Sequence, residues 1–241
     1  MPRLKPYTTN QESWNTILQK YLRIPMNQRE YSWETTEITK FLDDIFKIYE
    51  EGTYVEKMGS IINLNYTDGN DIYDGQQRIL TTILILNVIS CLSEKLKNKI
   101  NQLLTIDIEL DELTQEQEEI KKKHNVNRIP KIYCINPYDM DGLVNIFNNK
   151  IKPFVDNVYN LNDFKESFDE DGVYICKHCK TKISRRTDFI RHLTKSHDYL
   201  TPESTTKLHN AYIDIYNYFV LKKYDEKNLI NLYKFILHDI D

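Results

Sequence analysis

From Ile79 to Leu92 the chain is apolar at every position except Thr81, Thr82, Asn87 and Ser90. Wound as a helix, such a run is hydrophobic on nearly all sides, and a helix of that kind has to be surrounded by other elements. The polar interruptions argue against a membrane span. The run therefore predicts a central helix over about 79–96, with one main core assembled around it. A length of 241 residues leaves room for one sizeable domain and a small satellite. A hydrophobic fraction of 40% with 28% charged residues fits an ordinary globular chain.

Periodicity supplies the surroundings. Residues 11–22 read as a helix, and Pro25 turns the following segment into a strand or turn over 23–31. From Glu34 the apolar positions Ile38, Phe41, Leu42, Ile45 and Phe46 repeat at helical spacing, with Ser32 or Thr35 available as a cap. Residues 59–66 and 71–73 are β-type runs around Asp68-Gly69, which predicts a hairpin. The polar stretch 107–124 reads as a solvated helix with Glu118–Lys122 and Glu119–Lys123 pairs, and helical periodicity returns over 138–151, 206–221 and 227–237. The expected fold is α+β with a helical C-terminal part. Expected units are 10–100, a helical region 101–172 carrying the charged segment, a module 173–200, and C-terminal helices 201–241.

That module is set by a spacing. Cys176, Cys179, His192 and His197 follow C-x2-C-x12-H-x4-H, which suits two thiolates on a β-knuckle and two imidazoles on a short helix around one tetrahedral Zn²⁺. Ile183 and Phe189 fall where such ββα fingers place their small core, and Tyr174 precedes the first cysteine. Four protein ligands leave no open position, so the zinc would be structural and would stabilise a piece too small to fold by burial alone. If the finger helix enters a DNA groove, Arg185, Asp188 and Arg191 face base edges, with Lys177, Lys180, Lys182, Arg186 and Lys195 near phosphates. One finger reads only about three base pairs, so a zinc-stapled insertion or a protein-docking knob stays open beside the DNA reading.

Asp74-Gly75-Gln76-Gln77-Arg78 places a glycine, two amides and a guanidinium at the start of the central helix. Exposed N–H groups and a cation there suit a phosphate, although a plain capped loop has the same ingredients. Three more signatures accompany it: Ile24-Pro25 with Gln28-Arg29, Tyr31 and Trp33; Phe41-Leu42 with Asp44-Ile45; and Gly59-Ser60-Ile61. In this order the four resemble the N-terminal domain of GmrSD-type restriction enzymes over residues 10–95. The resemblance implies a ParB/sulfiredoxin-like α/β core, nucleoside triphosphate binding and hydrolysis at the Asp-Gly-Gln-Gln-Arg loop, and action against modified or foreign DNA. It makes Asp74, Gln76, Gln77 and Arg78 catalytic candidates, and Gln28, Arg29 and Asp74 through Arg78 nucleotide-site candidates. Arg78 would neutralise phosphate charge, Gln76 or Gln77 would orient a water, and Asp74 would hold Mg²⁺ or fix the loop. Tyr31 and Trp33 either line the cleft or pack the core. The family's Leu-Thr-Thr after the arginine is here Ile79-Leu80-Thr81-Thr82, one residue longer, which moves the threonines around the helix.

The family's His-Asn-His nuclease has no counterpart in this sequence. His209 and His238 have no second His or acidic cluster near them in the sequence and read as surface or helix-face residues. Six glycines leave no Walker A or G-x-G-x-x-G loop. A net charge of −4 argues against coating nucleic acid by overall charge but allows the local basic surface at 177–195. No leader or membrane segment is expected, and Cys91 and Cys134 read as buried thiols of a reducing compartment, in cytoplasm or nucleus, of cellular, viral or mobile-element origin. Two functions stand side by side: a nucleotide-dependent DNA-recognition protein that works with a separate nuclease or partner protein, and a non-enzymatic zinc-finger adaptor with a degenerate loop.

Overall fold

The computed structural model describes residues 12–51, 61–66, 69–109, 113–148, 173–176, 179–184, 192 and 207–237. Helix α1 (Trp14–Leu18) starts at Ser13, whose hydroxyl accepts from the Thr16 N–H, and lasts five residues. The helix expected over 11–22 is cut short because β1 (Leu22–Ile24) enters a sheet, burying Leu22 and Ile24 and turning Arg23 to the other face. Helix α2 (Thr35–Glu51) buries Ile38, Leu42, Ile45 and Phe46, the stripe read from the sequence. Strands β2 (Ile62–Tyr66) and β3 (Gly69–Asp74) form the expected antiparallel pair, whose turn residues 67–68 lie outside the described residues.

The apolar run lies in one helix, which stops short of the expected residue 96. Helix α3 (Gln76–Leu92) ends at Ser93, which is extended, and α4 (Glu94–Leu104) begins there. The Ser93 hydroxyl accepts from the Leu96 N–H and donates to Glu226, so a good N-cap breaks the helix before residue 96. Strands β4 (Thr105–Asp107) and β5 (Arg128–Pro130) pair with each other. Between them lies α5 (Gln115–His124), held by a capping box of Thr114 and Gln117. This helix is less solvated than its composition predicts, because Gln117 and Ile120 are buried, and Glu118 pairs with Lys121, at 3.8 Å. Strand β6 (Ile132–Cys134) leads to α6 (Pro137–Phe147), capped by Asn136.

Strands β7 (Tyr174–Ile175) and β8 (Lys182–Ile183) form a small separate pair, and helices α7 (Lys207–Lys222) and α8 (Glu226–Leu237) close the chain. The main sheet has the order β2-β3-β1-β6, with β1 parallel to both neighbours. Fourteen of the seventeen residues of α3 are buried, and α4, α7 and α8 pack around it. The architecture is α+β, mostly helical, around a small and largely parallel sheet. One apolar cluster runs from Trp14 to Leu237 and leaves out the buried Tyr174 and Cys176. Phe46 stacks with Tyr218 and Tyr224 and meets Phe219 edge-on, tying α2 to α7 and to the turn before α8. His209, read as a surface or helix-face residue, lies on the inner face of α7, buried beside Gly142 of α6, and burial pushes its imidazole down to about 4.

Candidate functional site

Strands β1, β3 and β6 run the same way, so the segments leaving their carboxyl ends meet at one side of the sheet. Open parallel sheets bind ligands outside that edge. A cleft of about 530 Å³ lies there, lined by Gln28, Arg29, Trp33, Tyr73, Asp74, Gly75, Gln76, Gln77 and Arg78. That size suits a small-molecule ligand. All seven nucleotide candidates named from the sequence therefore share one cleft. Gln28 and Arg29 come from the segment after β1, and Asp74 through Arg78 from the junction of β3 with α3.

The junction explains its own sequence. Gly75 sits at φ 90°, ψ 5°, a left-handed conformation that a side chain would strain, and it lets the chain turn from strand to helix in one residue. No side chain caps α3, and its first internal hydrogen bond joins the Ile79 N–H to the Gly75 carbonyl at 3.0 Å. The first-turn amides and the positive end of the helix dipole are thus presented at the cleft. Arg78 reaches back to Asp74 at 3.5 Å, and the Asp74 carboxylate is exposed. Arg29, from the segment after β1, is exposed and lines the same cleft.

The two glutamines differ. Gln77 Oε1 accepts from the Ser32 N–H at 2.8 Å, and its Nε2 donates to the Glu30 carbonyl at 3.3 Å. Both ends of that amide are committed to backbone, so Gln77 fastens the β1–α2 segment to α3. The Gln76 amide makes no side-chain hydrogen bond among the described residues and lines the cleft. Of the two aromatics left open by the sequence, Tyr31 is core: it is buried, and its hydroxyl bonds Thr81 Oγ1 at 2.8 Å. Trp33 does both, lining the cleft and packing edge-on against Phe41. Thr82 is fully buried, and its hydroxyl has no partner among the described residues.

Sequence reasoning missed Tyr73 and Asp139. Strand alternation could have found Tyr73, which faces away from buried Ile72. Asp139 Oδ2 accepts from the Tyr31 N–H at 2.7 Å across a separation of 108 residues, and no local pattern announces such a partner.

A second group lies on the β7–β8 pair. Ligand atoms of Cys176, Cys179 and His192 all fall within 4.8 Å of one another, an arrangement that could hold a metal ion. The Cys176 N–H donates to the Thr181 carbonyl, the Lys180 N–H donates to the Cys176 carbonyl, and Lys180 is left-handed at φ 59°. This tight turn aims both thiols at one point, with Cys179 Sγ 3.1 Å from His192 Nε2. His197, Arg185, Asp188 and Arg191 lie outside the described residues, as does the rest of the expected finger helix.

A family model for the GmrSD restriction endonuclease N-terminal domain matches residues 13–241. The chain belongs to that family. The match runs beyond the 10–95 stretch that carries the resemblance and takes in Cys176, Cys179, His192 and both C-terminal helices. As a GmrSD N-terminal domain, the protein is part of a family found in modification-dependent restriction systems. No curated protein matches the chain. Among the described residues, no helix is long and apolar enough to cross a membrane.

Proposed function

We propose that this GmrSD N-terminal domain is a nucleotide-dependent DNA-recognition protein, built on a ParB/sulfiredoxin-like core, with a zinc finger adding DNA contact. The observation that carries the nucleotide part is the convergence of two separate sequence signatures on one cleft at the uncapped start of α3. Arg78, Arg29 and the α3 amides are the groups to hold a triphosphate. Asp74 is the residue to share a Mg²⁺ ion with the phosphates, which would neutralise their charge. Gln76 is the side chain to orient a water, and Gln77 positions the wall of the cleft. Cys176, Cys179 and His192, joined by His197, would hold a structural Zn²⁺. Arg185, Asp188 and Arg191 would meet DNA, with cleavage left to a nuclease on a separate chain inside the cell.

One observation favours the second reading, a non-enzymatic zinc-finger adaptor with a degenerate loop. Thr81 is occupied by Tyr31 and by the Gln77 carbonyl, and Thr82 points into the core, so neither hydroxyl serves the cleft. Turnover of nucleoside triphosphates by the full chain, with and without DNA, separates the two against Arg78→Ala. DNA-stimulated turnover lost in R78A supports the enzyme. Binding without turnover leaves the adaptor, and neither binding nor turnover removes the nucleotide reading.

A further inference from the structure

The segment that carries Gln28, Arg29 and Trp33 has no regular structure between β1 and α2, yet it is pinned around residues 30–32 by side chains from two helices. From α3, Gln77 takes the Ser32 N–H and the Glu30 carbonyl, while Thr81 holds the Tyr31 hydroxyl. From α6, Asp139 takes the Tyr31 N–H at 2.7 Å.

Asp139 is 5% exposed, and a buried carboxylate is an expensive way to satisfy one amide. Its own helix does not need it, because Asn136 already caps α6 by accepting from the Tyr138 N–H at 2.9 Å. Tyr31 is the one hydrogen-bond partner of its side chain among the described residues. Burial holds its proton more tightly than usual, up to about 6, so the charge is kept at neutral pH against a desolvation penalty. A charge-assisted bond of this kind is stronger and more directional than a neutral one.

We propose that Asp139 is a positioning residue for the cleft: by holding the Tyr31 N–H it fixes Gln28, Arg29 and Trp33 in the cleft at the start of α3. The consequence for ligand affinity rests on the nucleotide reading above; the fixing of the segment does not. Binding groups displaced by as little as 1 Å can lose much of their effect, so a residue outside the cleft controls the segment that shares it with Arg78.

The test uses the full chain carrying Trp14→Phe, which leaves Trp33 as the one tryptophan of the two in the sequence. Acrylamide quenching of Trp33 is compared in Asp139→Ala, Asp139→Asn and Thr81→Val, with Leu229→Ala in α8 as a destabilised control remote from the cleft. Quenching is expected to rise about twofold in D139A, to rise less in T81V, and to stay at the parental value in D139N, which keeps an acceptor, and in L229A. Calorimetric titration with the Mg²⁺ salts of ATP, GTP, CTP and UTP follows on the same proteins. Any of these that binds the parent is expected to bind D139A about tenfold more weakly and D139N within about twofold. Unchanged quenching in D139A overturns the proposal; if D139A fails to fold, Asp139→Leu, which also lacks the acceptor, takes its place, and unchanged quenching there overturns it in the same way. Raised quenching with unchanged affinity overturns the link to binding. Raised quenching with no nucleotide bound by the parent supports the pinned segment and removes the nucleotide reading instead.

Discussion

The cleft and the Cys176–Cys179–His192 group, which could hold a metal ion, reach the convergence of polar side chains by opposite means. In the cleft the groups come from residues 28–33 and 73–78 and are held by a framework that includes residue 139, through buried hydrogen bonds to a core that already exists. Around Cys176 the groups come from a stretch of 17 residues, Cys176 to His192, and among the described residues from 173 to 192 only Tyr174 and Cys176 are buried. Preorganisation in the first is supplied by the fold; in the second, on the zinc reading proposed above, it would be supplied by the metal. A shape made by packing should outlast the loss of its ligand, and a shape made by coordination should not.

Metal removal is the harshest way to probe that contrast. Structural zinc in small modules is worth on the order of 10 kcal/mol of apparent binding free energy. A chelator, or Cys176→Ser, should therefore abolish amide protection over β7 and β8 while the main thermal transition moves little. Hydrogen exchange by mass spectrometry reads both regions in one experiment, and joint unfolding of core and knuckle would end the comparison. In the opposite direction, Leu84→Ala empties part of a fully buried position on α3. It should cost about 2–5 kcal/mol of global stability, while one metal ion per chain is retained under native conditions; metal analysis beside a denaturant titration checks it.

How much of each region the sequence reveals follows from the same difference. The Cys176–Cys179–His192 group is legible because its chemistry is a spacing: candidate ligand types, intervals and the flanking Tyr174 and Ile183 all lie within one short stretch. The cleft is legible only as ordered motifs, since nothing in Gln28-Arg29 says that it will share a cleft with Asp74 through Arg78. The framework is not legible at all. Asp139 looks like an ordinary first-turn carboxylate, and Gln77 looks equivalent to Gln76 until Ser32 and Glu30 are seen to occupy its amide. The apolar run at 79–92 did announce a central helix, but Ser93 ended it early through a capping hydrogen bond that competes with helix propagation. Three-residue strands such as β1 and β6 escape periodicity, because alternation over three residues is too short a signal.

A smaller effect is expected at the glycine that opens α3. Gly75→Ala puts a side chain at φ 90° and should destabilise the chain by about 1–2 kcal/mol. It should disturb nucleotide affinity more than any substitution in the knuckle does; thermal melts with titration of each nucleotide decide this.

Smallest is the pH dependence, where two buried groups oppose each other. Asp139 is raised to about 6 by burial, so the folded chain binds its proton more tightly than the unfolded chain, and this group makes stability fall as pH rises from about 4 to about 6. His209 is lowered to about 4 by burial, so the unfolded chain takes the proton first, and this group makes stability fall as pH drops from about 6.5 to about 4. Each contribution should be on the order of 1 kcal/mol after solvent screening. Denaturant titrations across pH 4–7 should show Asp139→Asn steepening the acid loss and His209→Gln flattening it. The reverse order of slopes would contradict the burial assigned to both.

The cleft at the start of α3 is, on the reading proposed above, a nucleotide site whose shape does not depend on a metal at Cys176, Cys179 and His192. Isothermal titration of the four Mg²⁺ ribonucleoside triphosphates into the full chain, into Arg78→Ala and into metal-stripped protein tests this most directly. The expected result is saturable one-to-one binding of at least one nucleotide, weakened by about tenfold or more in R78A and left within about twofold by metal removal. Binding that ignores Arg78, or that vanishes with the metal, would contradict it.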